Sequence, residues 1–180
     1  NTSIGIVGKS GEGKTTFVNL LIGILKPTSG IIKLDDKAIN YPIYKTNLKI
    51  GYVPQNSYMF DCSIIENIAY GINYKDIDIT KINKVLKSVE LYDDVKNFTA
   101  NYDTNVGEKG IKLSGGQIQR IAIARALYTD PDLIILDEIT NSLDHKTEKE
   151  IIKTVEKLMN NKTIIIISHS SDILKNCNSI

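Results

Sequence analysis

The run Gly8-Lys9-Ser10-Gly11-Glu12-Gly13-Lys14-Thr15 restricts the fold more than any other stretch of the chain. It fits the pattern GxxxxGK[ST]. It lies between a short β-rich run, Ser3 to Val7, and a segment with helical spacing of apolar residues (Phe17, Val18, Leu20, Leu21, Ile24) that Pro27 ends. A strand, a glycine loop and a helix in that order fold backbone N–H groups around an anion and aim a positive helix end at it. Gly8, Lys9, Ser10, Gly11 and Gly13 are therefore expected to form a phosphate cradle. Lys14 is expected to reach β- and γ-phosphates, a charge pair worth about 4 kcal/mol at roughly 4 Å and an effective dielectric of about 20. Thr15 offers its hydroxyl to Mg²⁺, and Thr16 is placed for an α-phosphate. A glycine turn with an exposed lysine is the bland alternative, and it leaves the flanking strand and helix unexplained.

The rest of the chain reads as alternating strands and helices. Ile50 to Val53, Leu133 to Leu136 and Thr163 to Ile167 are short apolar runs, and Gly30 to Leu34 alternates, followed by a turn at Asp35-Asp36-Lys37. Apolar character on both faces argues a mainly parallel sheet flanked by helices, an α/β fold. Ser63 to Phe98 has a helical pattern, Thr99 to Lys112 is polar and turn-rich, and Ser114 is a candidate N-cap for a helix through Leu127. Lys146 to Met159 is helical again. The helical stretch interrupts the alternation and is expected to be an inserted subdomain over about 57–127. It leaves about 1–56 and 128–180 as the core of a single domain spanning 1–180.

Composition narrows the function classes. The net charge of +1 supplies no bulk field for nucleic acid, so no nucleic-acid partner is expected. Cys62 and Cys177 have no CxxC spacing and are expected to be reduced thiols. No stretch reaches the roughly 18 apolar residues needed to span a bilayer.

Leu133-Ile134-Ile135-Leu136-Asp137-Glu138 delivers two acids at the carboxyl end of an apolar strand, where α/β ligands bind. Asp137 is expected to support Mg²⁺, usually through water, and Glu138 to polarise an attacking water. Alone, such a pair is more often a solvated turn. With the phosphate loop upstream, the catalytic reading prevails.

Leu113-Ser114-Gly115-Gly116-Gln117, continued by Gln119-Arg120 and Ala124-Arg125-Ala126-Leu127, resembles the signature sequence of ABC ATPases. The physical logic stands without the name: a serine and two glycines at a helix start make a second anion site, so one chain carries two. The resemblance implies a P-loop NTPase core with an inserted signature subdomain. It also implies head-to-tail dimerisation, in which Ser114, Gly115, Gly116 and Gln117 close on ATP held by the loop of a second cassette. Tyr52-Val53-Pro54-Gln55 resembles the Q-loop, which implies that Gln55 contacts Mg²⁺ and the attacking water. Asn141-Ser142-Leu143-Asp144 resembles the D-loop, usually SALD, and implies a nucleotide-site role for Asp144 across the dimer. Ile167-Ser168-His169 resembles the switch-histidine strand, which implies a contact from His169 to the γ-phosphate. Gly30-Ile31-Ile32-Lys33-Leu34-Asp35-Asp36 resembles the GxIxxDG strand-turn, with Asp36 in place of the family's glycine.

Thr104-Asn105-Val106-Gly107-Glu108-Lys109-Gly110 resembles the TxVGExG loop of exporter cassettes, and Glu66-Asn67-Ile68-Ala69-Tyr70-Gly71 their ENIxYG stretch. The implied protein is an ATPase that powers export. It would lie at the cytoplasmic face of the cell membrane, paired with a second cassette and with a transmembrane domain fused in the same chain or separate. Two alternatives remain at this point: a non-transport ABC ATPase, and a regulatory cassette with little hydrolysis. The family also has antiparallel strands ahead of Ser3 and further strands after the histidine. The stretch given is therefore expected to be part of a longer cassette.

Overall fold

The computed structural model describes residues 2–9, 11–34, 36–39, 47–141 and 143–180. The expected Ser10 and Ser142 positions, and Asp35 of the strand-turn, lie outside the described residues.

Four parallel strands form the central sheet in the order β1 (Ser3–Ile6), β6 (Thr163–Ile167), β5 (Leu133–Asp137), β4 (Ile50–Val53). The aliphatic runs split by parity, because successive side chains leave a strand on opposite faces. Ile134, Leu136, Ile164 and Ile166 join the larger core beneath α5 (Gly115–Tyr128) and α6 (His145–Met159), whereas Ile135, Ile165 and Ile167 join Val18 of α1 (Lys14–Leu21). Each buried aliphatic chain contributes roughly 1.5–3 kcal/mol, so a strand apolar on both faces is strongly held in register. That register brings the carboxyl ends of β1, β5 and β6 together: Leu136 pairs with Ile166 and Asp137 with Ile167.

α1 is shorter than its apolar spacing predicts. It ends at Leu21, with Ile22 as cap and Gly23 at φ 79°, so Ile24 lies outside it and is exposed. The expected Gly30–Leu34 strand is reduced to a two-stranded antiparallel hairpin, β2 (Lys33–Leu34) with β3 (Lys37–Ala38). Asp36 at its turn has φ 63°, the left-handed conformation that aspartate tolerates.

The expected helical run from Ser63 to Phe98 is three helices: α2 (Ile64–Ile68), α3 (Ile79–Ser88) and α4 (Tyr92–Asn97). Ser63 and Glu66 cap α2 reciprocally, and the Asp78 side chain caps α3. Single-turn 3₁₀ segments fill much of the polar stretch before Ser114. α5 is buried around most of its circumference, as befits a helix packed between α2, α3 and the sheet. Arg125 on α5 donates to the carbonyls of Asn67 (2.7 Å) and Tyr58 (2.9 Å), and Asn67 in turn clasps both the N–H and the carbonyl of Phe60. The segment following Gln55 is thus tied to the helix that carries the signature. Cys62 and Cys177 are both free and partly buried.

Candidate functional site

The glycine loop departs from β1 and enters α1 through two left-handed glycines, Gly11 (φ 87°) and Gly13 (φ 90°), the latter being the N-cap. Neither position has a heavy atom within 4 Å of where a Cβ would stand, so the glycines are required by backbone conformation and not by crowding. Gly13 caps with no side chain, so the first-turn N–H groups of α1 have no side-chain cap. Lys14 folds back over the loop and donates to the carbonyls of Gly8 (2.6 Å) and Lys9 (3.1 Å). The Glu12 carboxylate braces the loop from outside by accepting from Lys9 N–H at 2.8 Å.

β5 supplies the two acids. Asp137 is its last residue and is buried, and Tyr52 on the neighbouring strand donates its hydroxyl to Asp137 Oδ2 at 3.1 Å. Burial raises the Asp137 carboxyl and the Tyr52 donation opposes it, while burial and the nearby carboxylate push the Tyr52 phenol up to about 12. Glu138 follows in a left-handed conformation, φ 49°, with its N–H donated to Ile167 O at 2.8 Å.

The Glu138 carboxylate is the hub of the cleft. Oε2 accepts from Gln55 Nε2 (3.0 Å) and from Asn141 Nδ2 (2.5 Å), while Oε1 lies 3.3 Å from His169 Nε2 and 3.8 Å from Lys14 Nζ. Lys14 Nζ and His169 Nε2 are themselves 3.5 Å apart. Gly11, Gly13, Lys14, Thr15, Thr16, Gln55, Asp137, Glu138 and His169 line one cleft of about 330 Å³. Residues far apart in sequence therefore meet here, and they include every described member of the expected phosphate, metal and base sets except Gly8 and Lys9, whose carbonyls hold Lys14. Asn141 and Tyr52 were not expected at the site. Their signals were weak: an amide three residues after a strand-end acid, and an aromatic beside a buried carboxyl.

Ser114, Gly115, Gly116, Gln117 and Asp144 do not line this cleft. They form a second locus where α5 and α6 begin. Ser114 Oγ accepts from Gln117 N–H (3.2 Å) while Gln117 Oε1 accepts from Ser114 N–H (3.0 Å), a reciprocal cap. With its oxygen so engaged, the Ser114 hydroxyl hydrogen and the N–H groups of Gly115 and Gly116 remain for an anion. Asp144 is the N-cap of α6 and accepts from Lys146 N–H and Thr147 N–H, each at 3.1 Å. In the exporter-like stretches, Glu66 and Asn67 do local structural work at α2, and Asn105 Oδ1 accepts from Gly107 N–H at 2.8 Å.

A phosphate loop after β1, paired acids at the end of β5 and a histidine after β6 define a P-loop NTPase. Residues 1–141 match the family model described as ABC transporter. The chain is 40% identical over 179 residues to an ATP-dependent lipid A-core flippase of Ralstonia nicotianae, covering 98% of this chain and 30% of that protein. It is 40% identical over 178 residues to the mitochondrial ATP-binding cassette sub-family B member 10 of Mus musculus, covering 97% of this chain and 25% of that protein. Among solved structures it resembles a bacterial Atm1-family ABC exporter with ATP bound, with a TM-score of 0.85 at 34% identity, covering 98% of this chain and 31% of that one. The chain belongs to the ABC transporter family and is an ATP-binding cassette of the exporter type. It spans 25–30% of the length of these two curated relatives.

Proposed function

We propose that this cassette binds Mg-ATP in the cleft at Lys14, closes head-to-tail with a second cassette whose Ser114–Gln117 segment completes the site, and hydrolyses ATP to power export across a membrane. The observation that carries this reading is the Glu138 hub. One carboxylate is within reach of Gln55, Asn141, His169 and Lys14, while the second anion locus of the same chain lies outside that cleft.

The residues present suit the ligand. Glycine N–H groups and the α1 N-terminus receive phosphate oxygens, and Lys14 exchanges the Gly8 and Lys9 carbonyls for them. Thr15, Gln55 and Asp137 are the oxygen donors that would hold Mg²⁺. Its remaining oxygens would come from phosphate and water. Mg²⁺ there would neutralise charge developing on the phosphates. Glu138 takes a proton from the attacking water as the water oxygen bonds to the γ-phosphorus. The bond to the bridging oxygen breaks, releasing ADP and phosphate. Gln55 orients that water, and His169 donates to the γ-phosphate.

Closure and reopening of the pair would shift a two-state equilibrium by differential affinity for ATP. The helical segment over about 57–127 moves as a subdomain in this cycle, against a core of about 1–56 and 128–180. Among the described residues no helix is long and apolar enough to cross a membrane. The membrane path of the proposed exporter would belong to a transmembrane domain, with this cassette on its cytoplasmic face.

The test is light scattering of Glu138→Gln after size exclusion, with and without Mg-ATP, with nucleotide binding measured separately. The expected result is a monomer that becomes a dimer only with ATP. A protein that binds ATP and stays monomeric counts against the two-cassette site.

A further inference from the structure

The first turn of α5 packs against the first turn of α6 through a contact that leaves no room for a side chain. A methyl group on Gly116 would lie 2.6 Å from Thr147 Cγ2, and its three nearest neighbours would all be atoms of Thr147. Gly116 is the second residue of α5 and has no left-handed φ. Alanine at an ordinary helical position is favoured over glycine by about 1 kcal/mol. Glycine is therefore required here by a neighbour and not by backbone conformation. Gly115 differs: a methyl there would lie 3.4 Å from Leu143 Cδ2, an ordinary van der Waals contact, so the close approach is confined to Gly116.

Thr147 is itself held in place. Its hydroxyl donates to Asp144 Oδ2 at 2.5 Å and its N–H to Asp144 Oδ1 at 3.1 Å. The hydroxyl bond, followed by the backbone bond, holds the Asp144 carboxyl below the usual carboxylate range. Asp144 thus fixes the threonine rotamer, and the rotamer aims the methyl at Gly116. Directly before Gly116 stand the groups that face outward from the signature: the Ser114 hydroxyl, turned by its bond from Gln117 N–H, and Gly115 N–H.

We propose that Thr147 is a positioning residue for ATP hydrolysis: clamped by Asp144, its methyl seats the first turn of α5 and sets where Ser114, Gly115 and Gly116 are presented to the nucleotide of the opposing cassette. The proposal rests on the two-cassette reading above. It assigns Asp144 a role within its own chain, through Thr147.

The test is a steric exchange in the full chain, reading kcat for ATP hydrolysis and the Kd of a fluorescent ATP analogue side by side. Gly116→Ala is expected to lower kcat roughly tenfold or more, because its methyl would meet Thr147 Cγ2 at 2.6 Å while Asp144 holds the threonine in place. The Kd should stay within about twofold, since the P-loop cleft is untouched. Thr147→Ser keeps the hydroxyl for Asp144 and removes Cγ2, and should cost about two- to fivefold in kcat. In Gly116→Ala/Thr147→Ser the alanine methyl fills the space the serine vacates, and kcat should return to within about threefold of wild type. A double variant as slow as Gly116→Ala, or a Gly116→Ala chain with wild-type kcat, overturns the proposal. Ser114→Arg is the separate control: if it hydrolyses ATP like wild type, the two-cassette reading fails as well, whatever the exchange shows.

Discussion

Glu138 occupies a backbone conformation that β-region neighbours avoid, with φ 49° directly after a strand. Its N–H bond to Ile167 and its side-chain bonds to Gln55 and Asn141 over-determine that conformation, and the price of holding it, about 1 kcal/mol or more, is typical of functional positions. Lys14 is the counter-charge of the same cluster, and without nucleotide it is satisfied by two loop carbonyls and faces Glu138. Those carbonyls remain paired with nothing once the ammonium is removed, and the phosphates lose their central cation. Lys14→Ala should weaken ATP binding by roughly a hundredfold, or about 3 kcal/mol, in isothermal titration. That Lys14, Asp137 and Glu138 share one cleft is legible at this scale, because each residue type has few chemical uses at its place in a strand, loop or helix start. Tyr52 and Asn141 were not legible. Each depends on which side chain a neighbouring strand or a following turn brings within 3.1 Å or 2.5 Å of an acid, a matter of register and of turn geometry.

At the scale of elements, the apolar strands read cleanly from sequence because a run buried on both faces has few other fates. β4 spans the expected Ile50–Val53, β5 extends the expected run by one residue to Asp137, and β6 spans Thr163–Ile167. The run from Ser63 to Phe98 read as one helical pattern because the apolar spacing survives its breaks. Those breaks lie at Gly71 (φ 82°), at the Asp78 cap and at Glu90, a non-glycine residue with φ 57°. Glu90 is held there by tertiary partners. Buried Arg120 donates to Val89 O at 2.6 Å and lies 3.6 Å from the Glu90 carboxylate and 3.2 Å from that of Glu150, and Lys157 of α6 bonds Glu90 from the other side. This network joins α3, α5 and α6. The Lys157 bond, with Arg120 behind it, holds the Glu90 carboxyl below the usual carboxylate range. A depressed folded pKa gives stability that is present above the unfolded value and lost as pH falls through the folded one. Glu90→Gln keeps the shape and removes the charge. It should cost about 0.5–1 kcal/mol at pH 7, the modest figure that suits a half-exposed partner. In urea titrations the gap from wild type should narrow as pH falls below about 4. A gap independent of pH would show that the pair acts through packing alone.

For the whole molecule, the decisive geometry is that Lys14 and Ser114 serve different places. The P-loop cleft has its full set of acids and amide, and no described residue of α5 lines it, while the donors of the α5 locus stand apart from it. Sequence shows that both motifs are present. It cannot show that one chain fails to bring them together, because that follows from where α5 starts relative to β5. The proposed head-to-tail pair turns this into a complementation test. Lys14→Ala chains bind ATP roughly a hundredfold more weakly, and Ser114→Arg chains would not complete a partner's site, so each should be inactive alone at ATP concentrations well below the weakened Kd. When the two are mixed in equal amounts, half of the pairs combine one of each. Such a pair has one intact composite site, made from Lys14 of the Ser114→Arg chain and Ser114 of the Lys14→Ala chain. If the two sites turn over independently, the mixture should recover roughly a quarter of the wild-type rate, the statistical share for a two-fold pair. Light scattering under ATP is read alongside the rate. Mixed pairs that form without turnover would mean that both sites must be complete before either hydrolyses. A mixture that neither pairs nor turns over would mean that Ser114 acts on the nucleotide of its own chain, although it does not line that cleft.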